Sequence, residues 1–263
     1  MLHRFLSDIQ ALPADRPLTK QDVLTPSFLI EKCNNIRMYY APHNECINNT
    51  AKIVIVGITP GWHQMKTALE QFVRSHEAGE TLEVCLKESK RAAGFAGSMR
   101  KNLVEMLNGC GIREVFDLPD SNFLFGANRH LLHTTSIIKY PVFINDKNYT
   151  GQQPPISRSP LLQHYAYKEF PKEMASIQDK ALIIPLGKTV EQVILRLAED
   201  GQLPRHTCLT GFPHPSGANG HRIKQFRHQK KQLWDKVRTW ANLTLRCKQN
   251  QSDTSCSKSC FSE

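Results

Sequence analysis

The sequence predicts a three-layer α/β/α fold around a central, mainly parallel four-stranded sheet. Three observations lead there. Short apolar runs recur along the chain, amphipathic helical stretches separate them, and several runs end on glycine- or proline-bearing turns. Strands that alternate with helices in this way form a doubly wound parallel sheet between helical layers.

The expected strands cover residues 52–57, 132–138, 181–186 and 207–212. The first and third are nearly continuous apolar runs, as a sheet covered on both faces requires. The second and fourth are more polar. Between them, Met65, Ala68, Leu69 and Phe72 repeat with helical spacing and form one apolar face. Leu103, Met106 and Leu107 form another, ended by Gly109 or Gly111. Val190, Val193, Ile194 and Leu197 give a third, and Phe226, Leu233, Val237 and Trp240 mark a last helix. Residues 117–128 and 140–160 are rich in Pro, Asn, Asp and Gly and read as long loops, the kind that often carry function. Residues 1–50 read as a helical extension packed on the core, 51–242 as the catalytic domain, and 243–263 as a disordered polar tail.

Composition narrows the function classes. At 263 residues, with 40% hydrophobic and 22% charged residues, the chain is an ordinary globular one. It contains no apolar run long enough to cross a bilayer. The opening segment carries Asp8, Pro13, Asp15 and Pro17 where a secretion signal needs apolar residues, so the expected location is cytoplasmic, with no membrane partner. The formal net charge of +10 favours a polyanionic partner, nucleic acid first. None of the eight cysteines forms a C-x-x-C pair, so no metal site is expected, and most read as free core thiols.

Two loops carry the chemistry. The first expected strand runs into Gly57-Ile-Thr-Pro-Gly-Trp-His63, directly before a helix. Ligands bind at the carboxyl ends of strands in open α/β sheets; Gly57 and Gly61 permit close backbone approach and Pro60 stiffens the turn. A tight β–α turn is the plainer reading of the same residues. The fourth strand runs into Gly211-Phe-Pro-His-Pro-Ser-Gly-Ala-Asn-Gly-His-Arg222. Flanked by prolines, His214 can be aimed rigidly while the following backbone N–H groups face a phosphate. His221, Arg222, Lys224, Arg227, His228, Lys230 and Lys231 crowd beside that loop, more than a solvated helix face requires. Gly187-Lys-Thr189 invites a phosphate-loop reading, but the glycine that such a loop needs five residues before Gly187 is Leu182, so an NTPase is excluded.

These segments resemble the uracil-DNA glycosylase superfamily. Gly57-Ile-Thr-Pro-Gly61 is similar to its first motif, G-x-x-P-G, and His214-Pro-Ser-Gly217 to its second, H-P-S or N-P-S-G. Gly94-Phe-Ala-Gly97, Thr135-Ser-Ile-Ile-Lys-Tyr-Pro141 and Ile183-Ile-Pro-Leu-Gly-Lys-Thr189 match three further stretches in the right order, over roughly residues 50–240. The resemblance implies a monofunctional DNA glycosylase that flips a base from DNA and hydrolyses its bond to the sugar. It makes His214 the donor to the departing base and Thr59 the residue at the water-activating position. It lines the base pocket with Gly57, Ile58, Pro60, Gly61, Trp62, Phe95 and Ser136. It gives Arg100, Ser216, Gly217, Ala218, Asn219, His221, Arg222, Lys224 and Arg227 to the DNA. No metal or organic cofactor is implied; the partner is DNA and the expected state is a monomer.

The departures from the family pattern are informative. Thr59 and Ile58 occupy positions where the family carries Asp, Asn or Glu, and a threonine hydroxyl is a poor general base. His63, Gln64 and Asp146 are the alternative water activators. Ser136 replaces the Asn that reads the base edge and is too short for the same two-point contact. Together with Trp62 and the 140–160 loop, this suits a pocket for a larger, modified pyrimidine. The chain also looks like a bacterial branch that removes modified cytosine from phage DNA in host defence. Two competing readings remain: a catalytically silent DNA-binding member of the fold, and a glycosylase/lyase using the Lys139 amine.

Overall fold

The computed structural model describes residues 1–95, 97–203 and 205–245. Helix α1 (Leu2–Gln10) and the short turn α2 (Lys20–Val23) open the chain. Strands β1 (Leu29–Cys33) and β2 (Ile36–Tyr39) form a hairpin about Asn34, which adopts a left-handed φ of 56°. Strand β3 (Ile53–Gly57) feeds α3 (Trp62–Glu77) and α4 (Leu82–Ala93). Then come α5 (Gly97–Gly109), α6 (Ile112–Val115) and β4 (Leu132–Ser136). The short strands β5 (Val142–Ile144) and β6 (Lys147–Asn148) follow. Helices α7 (Pro160–His164) and α8 (Phe170–Ala175) are joined by a wider π-type turn at Tyr165–Glu169. The chain continues through β7 (Leu182–Pro185), α9 (Lys188–Glu199), β8 (Thr207–Cys208) and α10 (Arg222–Thr244).

Strand β3 is central. It pairs in parallel with β4 on one side and β7 on the other, and β8 lies beyond β7. Because side chains alternate across a strand, β3 serves two cores. Ile53 and Ile55, with Leu182 and Ile184, pack against Leu103 and Leu107 of α5, Ile112 of α6, and Leu233, Val237 and Trp240 of α10. Val54 and Val56, with Ile183, pack against Met65, Leu69 and Phe72 of α3 and Val190, Ile194 and Leu197 of α9. The helical faces read from the sequence are the buried ones, and the expected three layers are present.

The sequence reading needs three corrections. Residues 1–50 carry β1 and β2 as well as helices, and the expected loop at 140–160 carries β5 and β6. Together these strands make a second, antiparallel sheet in the order β1-β2-β5-β6. They are short, and β1 is only partly buried, so neither apolar alternation nor length marks them. The fourth strand of the parallel sheet is two residues long rather than 207–212: after Leu209 N–H bonds to Ile183 O, Gly211 turns the chain at φ 88°. Helix α10 continues to Thr244, past the expected boundary, and the remainder of the expected tail lies outside the described residues.

Candidate active site

The strand ends of the parallel sheet border a cleft of about 620 Å³. Gly57, Ile58, Thr59 and Gly61 line it from the turn after β3, Ser136 from the end of β4, and His214, Ser216, Ala218 and Asn219 from the loop before α10. Phe95 joins them from the loop before α5. The two sequence-distant loops therefore meet over one cavity.

His214 is held by its neighbours. Ser216 N–H donates to its Nδ1 at 3.2 Å. That nitrogen is thus an acceptor, and in the neutral ring the proton sits on Nε2. Burial pushes the imidazole below its ordinary value, so it is neutral at pH 7. The result is a preset Nε2–H donor on a ring that lines the cleft. The loop beneath it is pinned twice. Asn102 Nδ2 donates to Pro215 O at 2.8 Å, and Asn219 Nδ2 donates to His214 O at 3.2 Å. Gly187 makes room for the ring: it has φ 89°, and a Cβ there would stand 3.1 Å from His214 Cβ.

Other expected site residues have different surroundings. The Thr59 hydroxyl donates to Tyr140 O at 2.7 Å and accepts Val142 N–H at 3.2 Å. Its one proton is committed, so Thr59 is a clasp between the β3 turn and β5 rather than a free water-activating group. Pro60 is buried, and Trp62 packs, partly buried, against the core that holds α3; neither borders the cleft. The Arg100 guanidinium folds back onto Phe95 O and Gly94 O and lies 5.2 Å from the Phe125 ring centroid. It is spent on holding the Phe95 loop and is not a free phosphate contact. Phe95 itself is buried, edge-on to Phe125 at 6.5 Å. Arg222 donates to Asn102 Oδ1 at 3.1 Å and so supports the His214 loop from below. Gly217, His221, Lys224 and Arg227 are exposed outside the cleft, the last three along the entry to α10.

Among the alternative water activators, His63 is exposed and away from the cleft. Asp146 is also exposed and pairs with Arg37 at 3.3 Å. Gln64 does line the cleft, but its amide bridges Gly61 N–H and Ala93 O. Lys139 lies over the Tyr140 ring at 5.8 Å and does not border the cleft. No Asp or Glu lines this cleft among the described residues.

Sequence reasoning missed one wall and one end of the cleft. Asn148, Tyr149, Thr150 and Gln152 form the wall. Asn148 Oδ1 accepts Trp62 N–H at 3.0 Å, which caps α3 and closes the wall on the β3 turn. Gly151 permits the approach, since a Cβ there would meet Ile58 Cδ1 at 2.7 Å. The end is formed by His43, Asn44 and Lys90. In sequence Lys90 reads as one more surface lysine of an amphipathic helix. Its only mark is its place between Ser89 and Ala93, which are also buried. Beneath this end, His133 Nε2 and Glu173 Oε1 are 2.9 Å apart and fully enclosed. His133 Nδ1 accepts Asn48 N–H, so Nε2 carries the proton toward Glu173.

The family model described as "Uracil DNA glycosylase superfamily" matches residues 45–243. A Bacillus subtilis (strain 168) protein described as "Uncharacterized protein YoxB" is 50% identical over 242 residues, covering 92% of this chain and 94% of that one. The crystal structure of wild-type Pedobacter heparinus SMUG2 aligns with a TM-score of 0.46 and 13% identity, covering 90% of this chain and 98% of that one.

Proposed function

Because the chain belongs to the uracil-DNA glycosylase superfamily, we propose that it hydrolyses the N-glycosidic bond of a flipped-out uracil or modified pyrimidine in DNA. What supports this most is the His214 ring: neutral, oriented by Ser216 N–H, and facing a cleft that is roomy for a pyrimidine. When the bond to the sugar breaks, negative charge collects on the base carbonyls. A preset donor in a water-poor site stabilises that charge without reorganising, worth roughly 2.7–4 kcal/mol of barrier. Phe95 would stack on the base, and the Ser216–Asn219 turn would meet the backbone at the cleft rim.

With no carboxylate on the cleft wall among the described residues, stabilisation of the departing base carries more of the rate than activation of water does. Asn148 and Gln152 supply polar groups to orient that water. The same absence favours a second reading, a DNA-binding member that flips bases without cutting. Release from phage DNA in host defence is a narrower form of the first reading, covered by including hydroxymethylated and glucosylated cytosine among the substrates. The decisive experiment is mass spectrometry of free bases released from a panel of modified DNAs. The expected result is release by the wild type and a loss of roughly 10²–10³-fold in His214→Ala. Binding without release from any substrate would establish the silent reading.

A further inference from the structure

The cleft contains a primary amine that the proposed hydrolysis does not use. Lys188 lines it as the first residue of α9, directly after Gly187. The triplet Gly187-Lys-Thr189 does not complete a phosphate loop, yet the fold puts all three residues on the cleft wall. Two lysines line this cleft among the described residues, and they differ in kind. Lys90 is buried, with its Nζ enclosed. Lys188 is exposed and has no hydrogen bond or ion pair among the described residues. Glu191, three residues further along α9, is engaged by Gly211 N–H. As no Asp or Glu lines the cleft among the described residues, nothing on the wall ties the Lys188 amine down.

Its root is fixed beside His214. Gly187 sits against that residue, close enough that a Cβ on it would stand 3.1 Å from His214 Cβ. The Gly187 N–H donates to Phe212 O at 3.3 Å and to Pro185 O at 3.1 Å, so the turn under Lys188 is tied to the His214 loop. From there a flexible lysine stem reaches over the neighbouring cleft. A pyrimidine that presents its O2 to His214 brings its sugar to the same side, because C2 is bonded to the N1 that carries C1′. Once the base has left, C1′ is a hemiacetal in equilibrium with an open-chain aldehyde. An aldehyde is the electrophile with which a lysine amine condenses.

We propose that Lys188 is the nucleophile of a second activity, a lyase step that cuts the DNA strand at the abasic site left by base removal. This rests on the reading of the cleft as the place that receives a flipped nucleotide, and it departs from the monofunctional expectation. Lys139 does not serve, since it lies over the Tyr140 ring outside the cleft. The Lys188 amine adds to the C1′ aldehyde, and loss of one water leaves a protonated imine. The imine draws electrons from C2′, whose proton passes to solvent. The electron pair freed there forms a carbon–carbon double bond as the C3′–O bond breaks, and the 3′-side strand leaves with its 5′-phosphate. Water then hydrolyses the imine, which restores the amine and frees the unsaturated aldehyde. The water lost in the first step is returned in the last, and no oxidant or reductant is consumed.

The test uses the full chain, in saturating excess over a duplex that carries a single preformed abasic site, so that it does not depend on base release. Strand cleavage is read on an end-labelled strand. The imine is trapped with borohydride, which reduces it to a stable secondary amine and leaves protein joined to DNA. The wild type should cut and cross-link, with peptide mapping by mass spectrometry placing the adduct on Lys188. Lys188→Arg keeps the positive charge but offers no primary amine, and should lose both signals, whereas Lys139→Arg should lose neither. A duplex left uncut and unlinked, an adduct that maps elsewhere, or full yield in Lys188→Arg overturns the proposal. Mapping on the wild type needs no variant, so it decides even if Lys188→Arg does not fold. If bases are released from modified DNA but no imine is trapped, this proposal fails and the glycosylase reading stands. If the abasic site is cut through Lys188 while no base is released from any DNA, the glycosylase reading fails and this one stands.

Discussion

At the residue scale, the site separates groups that face the cleft from groups that build it. Thr59 is the clearest case. Its sequence position suggests a part in activating water, yet its hydroxyl joins Tyr140 O to Val142 N–H. Thr59→Val removes both bonds at constant shape and should cost about 1–3 kcal/mol in denaturant unfolding. Any loss of base release should follow that loosening. A large fall in rate at unchanged stability would instead restore Thr59 to the chemistry. His214 was legible in the sequence because two prolines and a serine leave an imidazole little freedom. Lys90 and His43 were not, since a sequence gives residue types and spacing but not which face of a helix closes over a cavity.

At the element scale, the parallel sheet was readable because β3 and β7 are apolar on both faces. The antiparallel sheet was not, because β5 and β6 are three and two residues long and owe their pairing to tertiary contacts. Helix α10 combines both situations. Leu233, Val237 and Trp240 anchor it to the core, while its first turns expose Lys224, Arg227 and Lys231 beside the cleft rim. Some of its charges already have partners: Lys236 bonds the Thr210 hydroxyl, and Arg238 lies 4.5 Å over the Trp234 ring. Lys224→Glu with Arg227→Glu should weaken DNA binding for every sequence alike and flatten its salt dependence by about one to two in log–log slope. Titration of binding against salt measures this. An unchanged slope would move the DNA path away from α10.

At the scale of the whole molecule, buried titratable groups set the pH at which the fold is firmest. Burial lowers His43 to about 3; burial and Lys90 lower His133 to about 4. Both stay neutral in the fold while the unfolded chain protonates near 6.5. Their contribution is therefore complete above pH 6.5 and is lost as pH falls toward 4. Lys90 acts at the other end. Its folded value of about 8 lies below the unfolded 10.5, so stability rises with pH between them. Buried Tyr40 and Tyr140, raised by burial above their ordinary 10, reverse the trend beyond that point. Thermal melts from pH 4 to 10.5 should thus rise steeply to 6.5 and peak between 8 and 10. A maximum below pH 7 would contradict these assignments.

The second sheet carries a consequence for anyone seeking a minimal active unit. Strand β2 fills the space between β1 and β5, with Ile36 opposite Ile144 and Met38 opposite Val142. Phe5 stacks on Tyr40 at 4.5 Å, and Tyr40 touches Tyr140, whose carbonyl holds Thr59. A fragment cut to residues 45–243 would leave β5 as a bare edge with its amides unclaimed, an invitation to stick to other copies. It would also take away the buttress behind the β3 turn. The first forty-odd residues are better regarded as a keystone than as an appendage.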